Sequence, residues 1–115
     1  MSHLALLPQG QVERDLRVAR QIQRSLLPAS VPSVPGLDFA VHYEPAYQIG
    51  GDFYDFLPTD PETIVLAVGD ASGHGLAAAL VARDVVTGLR MGTEKALKLT
   101  DTVIRLNHVI ARSML

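Results

Sequence analysis

The segment Gly69-Asp70-Ala71-Ser72-Gly73-His74-Gly75 constrains the fold of this chain more than any other. It follows Thr63–Val68, a nearly continuous apolar run that reads as a strand with both faces buried. It precedes an Ala-rich stretch from Leu76 to about Leu89, apolar almost all round, which reads as a packed helix with Gly88 and Gly92 bracketing its end. Three glycines in seven residues permit a sharp strand-to-helix turn and leave backbone carbonyls and amides exposed. Such carbonyls can ligate a hard cation, and the helix N-terminus that follows can receive an anion. Asp70 then stands at a strand end, held by the core yet within reach of solvent. Two readings of it are open: a ligand, or the cap of a turn whose glycines serve its geometry.

Upstream, Gln11 to Leu27 reads as an amphipathic helix with Val12, Leu16, Ala19, Ile22 and Leu26 as its apolar stripe and Arg14, Arg17, Arg20 and Arg24 on other faces. Pro28 stops it, and Pro32–Gly36 is a connector with turn chemistry. A packing helix, a dimer stripe and a membrane-surface element, in that order, are the roles open to it. Leu37–Tyr43 alternates like a strand, and Phe53–Leu57 is a second, aromatic-rich one after Gly50–Gly51. The short Pro58–Pro61 connector makes the second and third strands an antiparallel hairpin. Thr100 or Asp101 can cap a last helix whose stripe is Val103, Leu106, Val109 or Ile110, and Met114. The order helix, three strands, two helices is α+β.

At 115 residues the chain makes at most one domain, since domains most often run about 100–150 residues. With 48% apolar and 19% charged residues it has an ordinary globular composition. The absence of cysteine rules out disulfide scaffolds, thiolate-held metals and thiol nucleophiles, and fits a cytoplasmic setting. The longest apolar stretch, Leu76–Ala82, is far short of the ~20 residues that span a bilayer. Residues 1–10 read as a loose terminus without signal-peptide features. A net charge of −2 gives no pull toward nucleic acid. Its distribution is more telling: no Lys or Arg lies between Ser25 and Ala82, a stretch holding Asp38, Glu44, Asp52, Asp55, Asp60, Glu62 and Asp70. Carboxylates gathered without counter-charge are either a solvated acidic face or partners for a hard divalent cation, Mg²⁺ or Mn²⁺.

Gly50-Gly51-Asp52-Phe53-Tyr54-Asp55 is the second chemical segment. Its glycines allow close backbone approach, and strand alternation puts Asp52 and Asp55 on opposite faces, so the two do not share an ion. A β-bulge with solvent-facing acids is the plain structural reading. His74 reads equally as a general acid or phosphate donor and as a turn histidine bonded to backbone. Gly73-His74-Gly75-Leu76-Ala77-Ala78 matches a dinucleotide fingerprint only by coincidence: the strand ends too early, and no second parallel strand ending in an acid follows. A P-loop is excluded because no Lys-Ser or Lys-Thr follows these glycines.

Taken in order, Ala19-Arg20-Gln21-Ile22-Gln23 with Leu26-Leu27-Pro28, Tyr43-Glu44-Pro45-Ala46, Gly50–Asp55 and Gly69–Gly75 resemble the N-terminal half of SpoIIE-type serine/threonine phosphatases, within the PPM metal-dependent phosphatases. The resemblance covers roughly Val18 to Leu115. It implies part of an αββα sandwich with antiparallel sheets, and hydrolysis of phosphoserine or phosphothreonine by a water activated by two Mn²⁺ or Mg²⁺ ions. By the same resemblance Asp70 bridges both metals, the Ala71 carbonyl ligates one, and Asp52 binds metal directly or through water. Gly51, Gly73, His74 and Gly75 support the site, and Asp55 serves structure. Residues 11–36 become a linker or switch helix with its connector, joined to an upstream sensor domain, and residues 37–115 the N-terminal part of the phosphatase domain. The implied substrate is a phosphorylated regulatory protein, such as an anti-anti-sigma factor. The family's further aspartates, in Asp-Gly and Asp-Asp contexts, do not occur here; Asp84 and Asp101 fall in helical contexts. The expectation is therefore a chain with weak metal affinity and little catalysis alone, whose uncovered sheet faces favour a homo-oligomer. A non-catalytic interaction or dimerisation module keeping half of the fold is the alternative.

Overall fold

The computed structural model describes residues 8–45 and 48–113. In chain order these form α1 (Gln9–Leu26), β1 (Asp52–Asp60), β2 (Thr63–Asp70), α2 (Gly75–Glu94) and α3 (Leu99–Ser113), an α+β arrangement. Met1–Leu7, Ala46 of the second sequence motif and Met114 of the C-terminal stripe lie outside the described residues.

α1 starts directly after Pro8, whose carbonyl accepts from Gln11 and Val12, and it stops where Pro28 forces Leu27 into extended backbone. Val12, Leu16, Ala19 and Leu26 are half-buried as the stripe requires, but Ile22 is 48% exposed and Gln23 takes its place. No α1 residue is fully buried. Two polar links fix the helix instead. The Gln23 amide nitrogen donates to the Gly50 carbonyl and its amide oxygen accepts from the Gly50 N–H, while Arg90 of α2 donates to the Leu26 carbonyl.

β1 and β2 form a two-stranded antiparallel sheet in the register Asp52↔Asp70 through Pro58↔Ile64. The hairpin agrees with the sequence reading; the strand over Leu37–Tyr43 does not. That segment is extended but joins no ladder apart from an isolated Val34↔Leu37 bridge. It crosses the sheet face instead, with Phe39 edge-on to Phe56 at 5.2 Å and Tyr43 tilted over Tyr54 at 6.2 Å. Aromatic packing has replaced strand pairing there. β2 is also less buried than its apolar run predicts: Leu66 is 54% and Val68 88% exposed. Alternation aims these two away from the helices, and the aromatic contacts of segment 37–45 fall on β1.

The core lies between β1 and α2, whose Ala78, Ala79, Ala82, Val86 and Leu89 are buried along one face. α2 runs past its expected end. Gly88 and Gly92 sit inside it as the surface on which α3 packs: a Cβ on Gly92 would come within 2.3 Å of the Thr102 hydroxyl, and one on Gly88 within 2.5 Å of a Leu106 methyl. The helix closes instead at Ala96, left-handed at φ 56°, with Leu97 donating to the Gly92 carbonyl. α3 correspondingly faces α2 with Thr102 and Leu106, whereas Val103 and Val109 of the expected stripe are about half exposed. It begins at Leu99, so Thr100 and Asp101 lie in its first turn, where Asp101 complements the helix dipole.

Asp55, 4% exposed, points into this core and meets Arg90 in a two-pronged pair, Nε to Oδ2 at 2.7 Å and Nη2 to Oδ1 at 3.3 Å. The Phe56 amide donates to the same carboxylate at 3.0 Å. The pair is asymmetric, because the Arg90 side chain is 41% exposed and that of Asp55 only 3%. Removing Arg90 strands a buried charge; removing the Asp55 charge leaves a guanidinium that reaches water. Arg90→Met is expected to cost about 3 kcal/mol in urea unfolding and Asp55→Asn about 1 kcal/mol. Equal losses would contradict the asymmetry.

Candidate metal centre

The ladder register brings the two chemical segments together. Asp52, first in β1, stands opposite Asp70, last in β2. Directly opposed residues carry their Cβ atoms on one face about 4.5–5.5 Å apart, so both carboxylates leave the sheet on the same side, at its end, and both residues are exposed. Asp55 faces the other way and is taken up by Arg90.

Gly51 explains why the chain closes tightly here. It is buried, its carbonyl accepts from the Ala71 N–H at 3.0 Å, and a Cβ on it would lie 2.5 Å from the Ala71 carbonyl oxygen and 3.1 Å from the Ala78 side chain. Only a glycine lets β1 approach the turn and the first turn of α2 together. Gly73 and Gly75 serve conformation rather than space: both are left-handed, at φ +92° and +71°, with nothing within 4 Å of an added Cβ. His74 between them is exposed and occupies the N-cap of α2 in extended backbone, without a side-chain cap bond.

The acid pair is electrostatically strained. The Asp52 carboxyl is raised above its ordinary value, first by its side-chain hydrogen bond to Asp70, then by burial and by the Asp70 charge. A proton shared between the two carboxyls offsets their repulsion, and a cation placed between them would do the same. Carboxylates and backbone carbonyls are hard oxygen donors of the kind a divalent cation takes, and the Ala71 carbonyl, next in the chain to Asp70, packs against Gly51 in the space a Cβ would fill. The donor set therefore fits a cation in kind. Among the described residues no cluster of three or more His, Asp or Glu side chains forms a fuller cage.

Two residues at this end of the sheet escaped the sequence reading of single sites. Tyr43 donates its hydroxyl to the Asp52 carbonyl at 2.9 Å, and its own pKa is raised by burial and by the Asp52 charge. Gln23 grips Gly50. The signal for Gln23 was present: it is a polar residue at the spacing where the α1 stripe calls for an apolar one, four after Ala19 and three before Leu26.

A raised acid pKa means that the folded state holds its proton more tightly than the unfolded chain. Its contribution is therefore present at low pH and lost as pH rises through the folded value. Without divalent metal, Asp52→Asn is expected to raise the thermal midpoint at pH 7, and the gain should shrink as pH falls through the raised folded value and be absent below the ordinary Asp value of 3.8. A midpoint lowered at pH 7 would refute the strain.

Residues 60–114 match the family model Stage II sporulation protein E (SpoIIE), a span that includes Asp70 and the glycine turn. Phosphoserine phosphatase RsbU of Bacillus subtilis (strain 168) is 28% identical over 106 residues, covering 92% of this chain and 31% of RsbU. Protein IcfG of Synechocystis sp. (strain ATCC 27184 / PCC 6803 / Kazusa) is 33% identical over 66 residues, 57% of this chain and 10% of IcfG. The chain thus spans about a third of the first relative and a tenth of the second.

Proposed function

We propose, from the kinship of this chain with the N-terminal portion of SpoIIE-type PPM phosphatases, that it supplies one half of a metal-dependent phosphoserine/phosphothreonine phosphatase site. The observation that carries the reading is the direct opposition of Asp52 and Asp70 beside a glycine-shaped turn. In it, Asp70 and Asp52 hold Mn²⁺ or Mg²⁺ with the Ala71 carbonyl. Such ions, when bound, polarise a water and offset phosphate charge. The chain's own part is to place two carboxylates on one face, keep Asp55 out of the set through Arg90, and leave the pair open to solvent. Gly51, Gly73 and Gly75 shape the floor, with His74 at the α2 N-terminus beside them.

The substrate in this reading is a phosphorylated regulatory protein of a bacterial sigma-factor circuit, such as an anti-anti-sigma factor, in a cytoplasmic setting. No described helix is long and apolar enough to cross a membrane. α1 and the connector to residue 36 act as the linker to an upstream sensor domain, and residues 37–115 as the N-terminal part of the phosphatase domain. The open sheet face at Leu66 and Val68 supports self-association, which a sedimenting species larger than a monomer at micromolar concentration would show. A second reading, a non-catalytic interaction module, is favoured by the lack of a third side-chain ligand among the described residues.

Calorimetric Mn²⁺ titration beside Asp70→Ala separates the two. The phosphatase reading expects a dissociation constant on the order of 0.1–1 mM, the weak end for oxygen-ligand sites, lost in the variant, and no Mn²⁺-dependent hydrolysis of a phosphoserine peptide by the 115-residue chain itself. Identical isotherms for both proteins would favour the module.

A further inference from the structure

Segment 37–45 touches the sheet through Phe39 and Tyr43, and only Tyr43 adds a polar bond to its ring contact. That bond lands on the carbonyl of Asp52, the first residue of β1, where the β1–β2 ladder ends. The end rung of a two-stranded ribbon is its weakest point. The backbone of Asp52 is nevertheless held on both sides: Gly51 before it accepts from Ala71, and its own carbonyl accepts from Tyr43. The Tyr43 ring is in turn fixed against Tyr54, which meets Phe56 at 6.2 Å, which meets Phe39. A hydroxyl–carbonyl bond of this kind, reachable by water, adds little to folding stability, because water replaces it when it is lost. It is far more consequential for a ligand, since the direction of a carboxylate follows the backbone that carries it and outer partners tune metal affinity strongly.

We infer that Tyr43 is a positioning residue of the metal centre: its hydroxyl, through the Asp52 carbonyl, sets the direction in which the Asp52 carboxylate meets a divalent cation shared with Asp70. This rests on the reading of Asp52 and Asp70 as a cation-binding pair. Tyr43 itself touches neither metal nor substrate. It acts only through Asp52.

The test is Mn²⁺ affinity of the full 115-residue chain, read from the electron paramagnetic resonance of free Mn²⁺, for the unaltered chain, Tyr43→Phe, Asp52→Ala and the double variant. Tyr43→Phe keeps the ring and is expected to weaken binding about three- to tenfold, with an unchanged thermal midpoint in EDTA. Added to Asp52→Ala it should weaken binding no further, as a residue acting through Asp52 requires. Phe39→Leu, which loosens the same segment without touching the hydroxyl, should leave affinity within twofold of the unaltered chain. Unaltered affinity in Tyr43→Phe, an equal loss in the Asp52→Ala background, or an equal loss in Phe39→Leu would each overturn the inference while leaving the cation pair standing. Absence of Mn²⁺ binding by the unaltered chain would overturn the cation pair and this inference with it.

Discussion

The register of the β1–β2 hairpin is the constraint on which everything else in this chain depends. Side chains alternate along a strand, so a slip of one residue would carry Asp52 onto the helix-facing side and turn the Asp55 carboxylate outward. Several unrelated contacts hold the register against that slip. Arg90 grips Asp55 from α2, and Phe53 covers the side of Gly69 where any other residue would place a Cβ, 2.2 Å from its ring. At the turn, Asp60 accepts from Glu62 at 2.8 Å and Thr59 donates to Thr63 at 3.1 Å, beside a bulge between Pro58 and Asp60. The opposed carboxylates at the far end follow from these fixtures.

Polar contacts, more than buried area, tie α1 to this hairpin. The helix buries no residue fully, yet Gln23 binds both backbone groups of Gly50, and Arg90 joins the Leu26 carbonyl to Asp55. Arg90 is therefore shared by three elements, and Gly50 lies two residues from Asp52. The end of α1, the glycine pair and the acid pair form one connected stretch of structure.

Much of this was legible in the sequence. Apolar periodicity located α1, α2 and α3, the short Pro58–Pro61 connector declared the hairpin, and glycines clustered before two aspartates marked where backbone had to come close. What escaped was whatever depends on partners distant in sequence. Leu37–Tyr43 carries strand periodicity but is held by Phe56 and Tyr54 rather than by a ladder. Gly88 and Gly92 resemble a helix end because a missing side chain looks the same whether it frees the backbone or admits Thr102 and Leu106. Ala96 took the left-handed position that glycine usually marks. Strand alternation already set Asp52 and Asp55 on opposite faces, but the partner that holds Asp55 in the core, Arg90, lies 35 positions away and left no local signal.

The proposed function stands or falls on whether Asp52 and Asp70 meet a divalent cation together. Paramagnetic broadening of backbone amide resonances by substoichiometric Mn²⁺ tests it most directly, because it locates the ion without reference to activity. Broadening confined to the stretches around Gly51–Phe53 and Asp70–Ser72 is expected. Broadening spread over the other acids of the chain, such as Asp38, Glu62 and Asp84, or confined to only one of the two stretches, would contradict it.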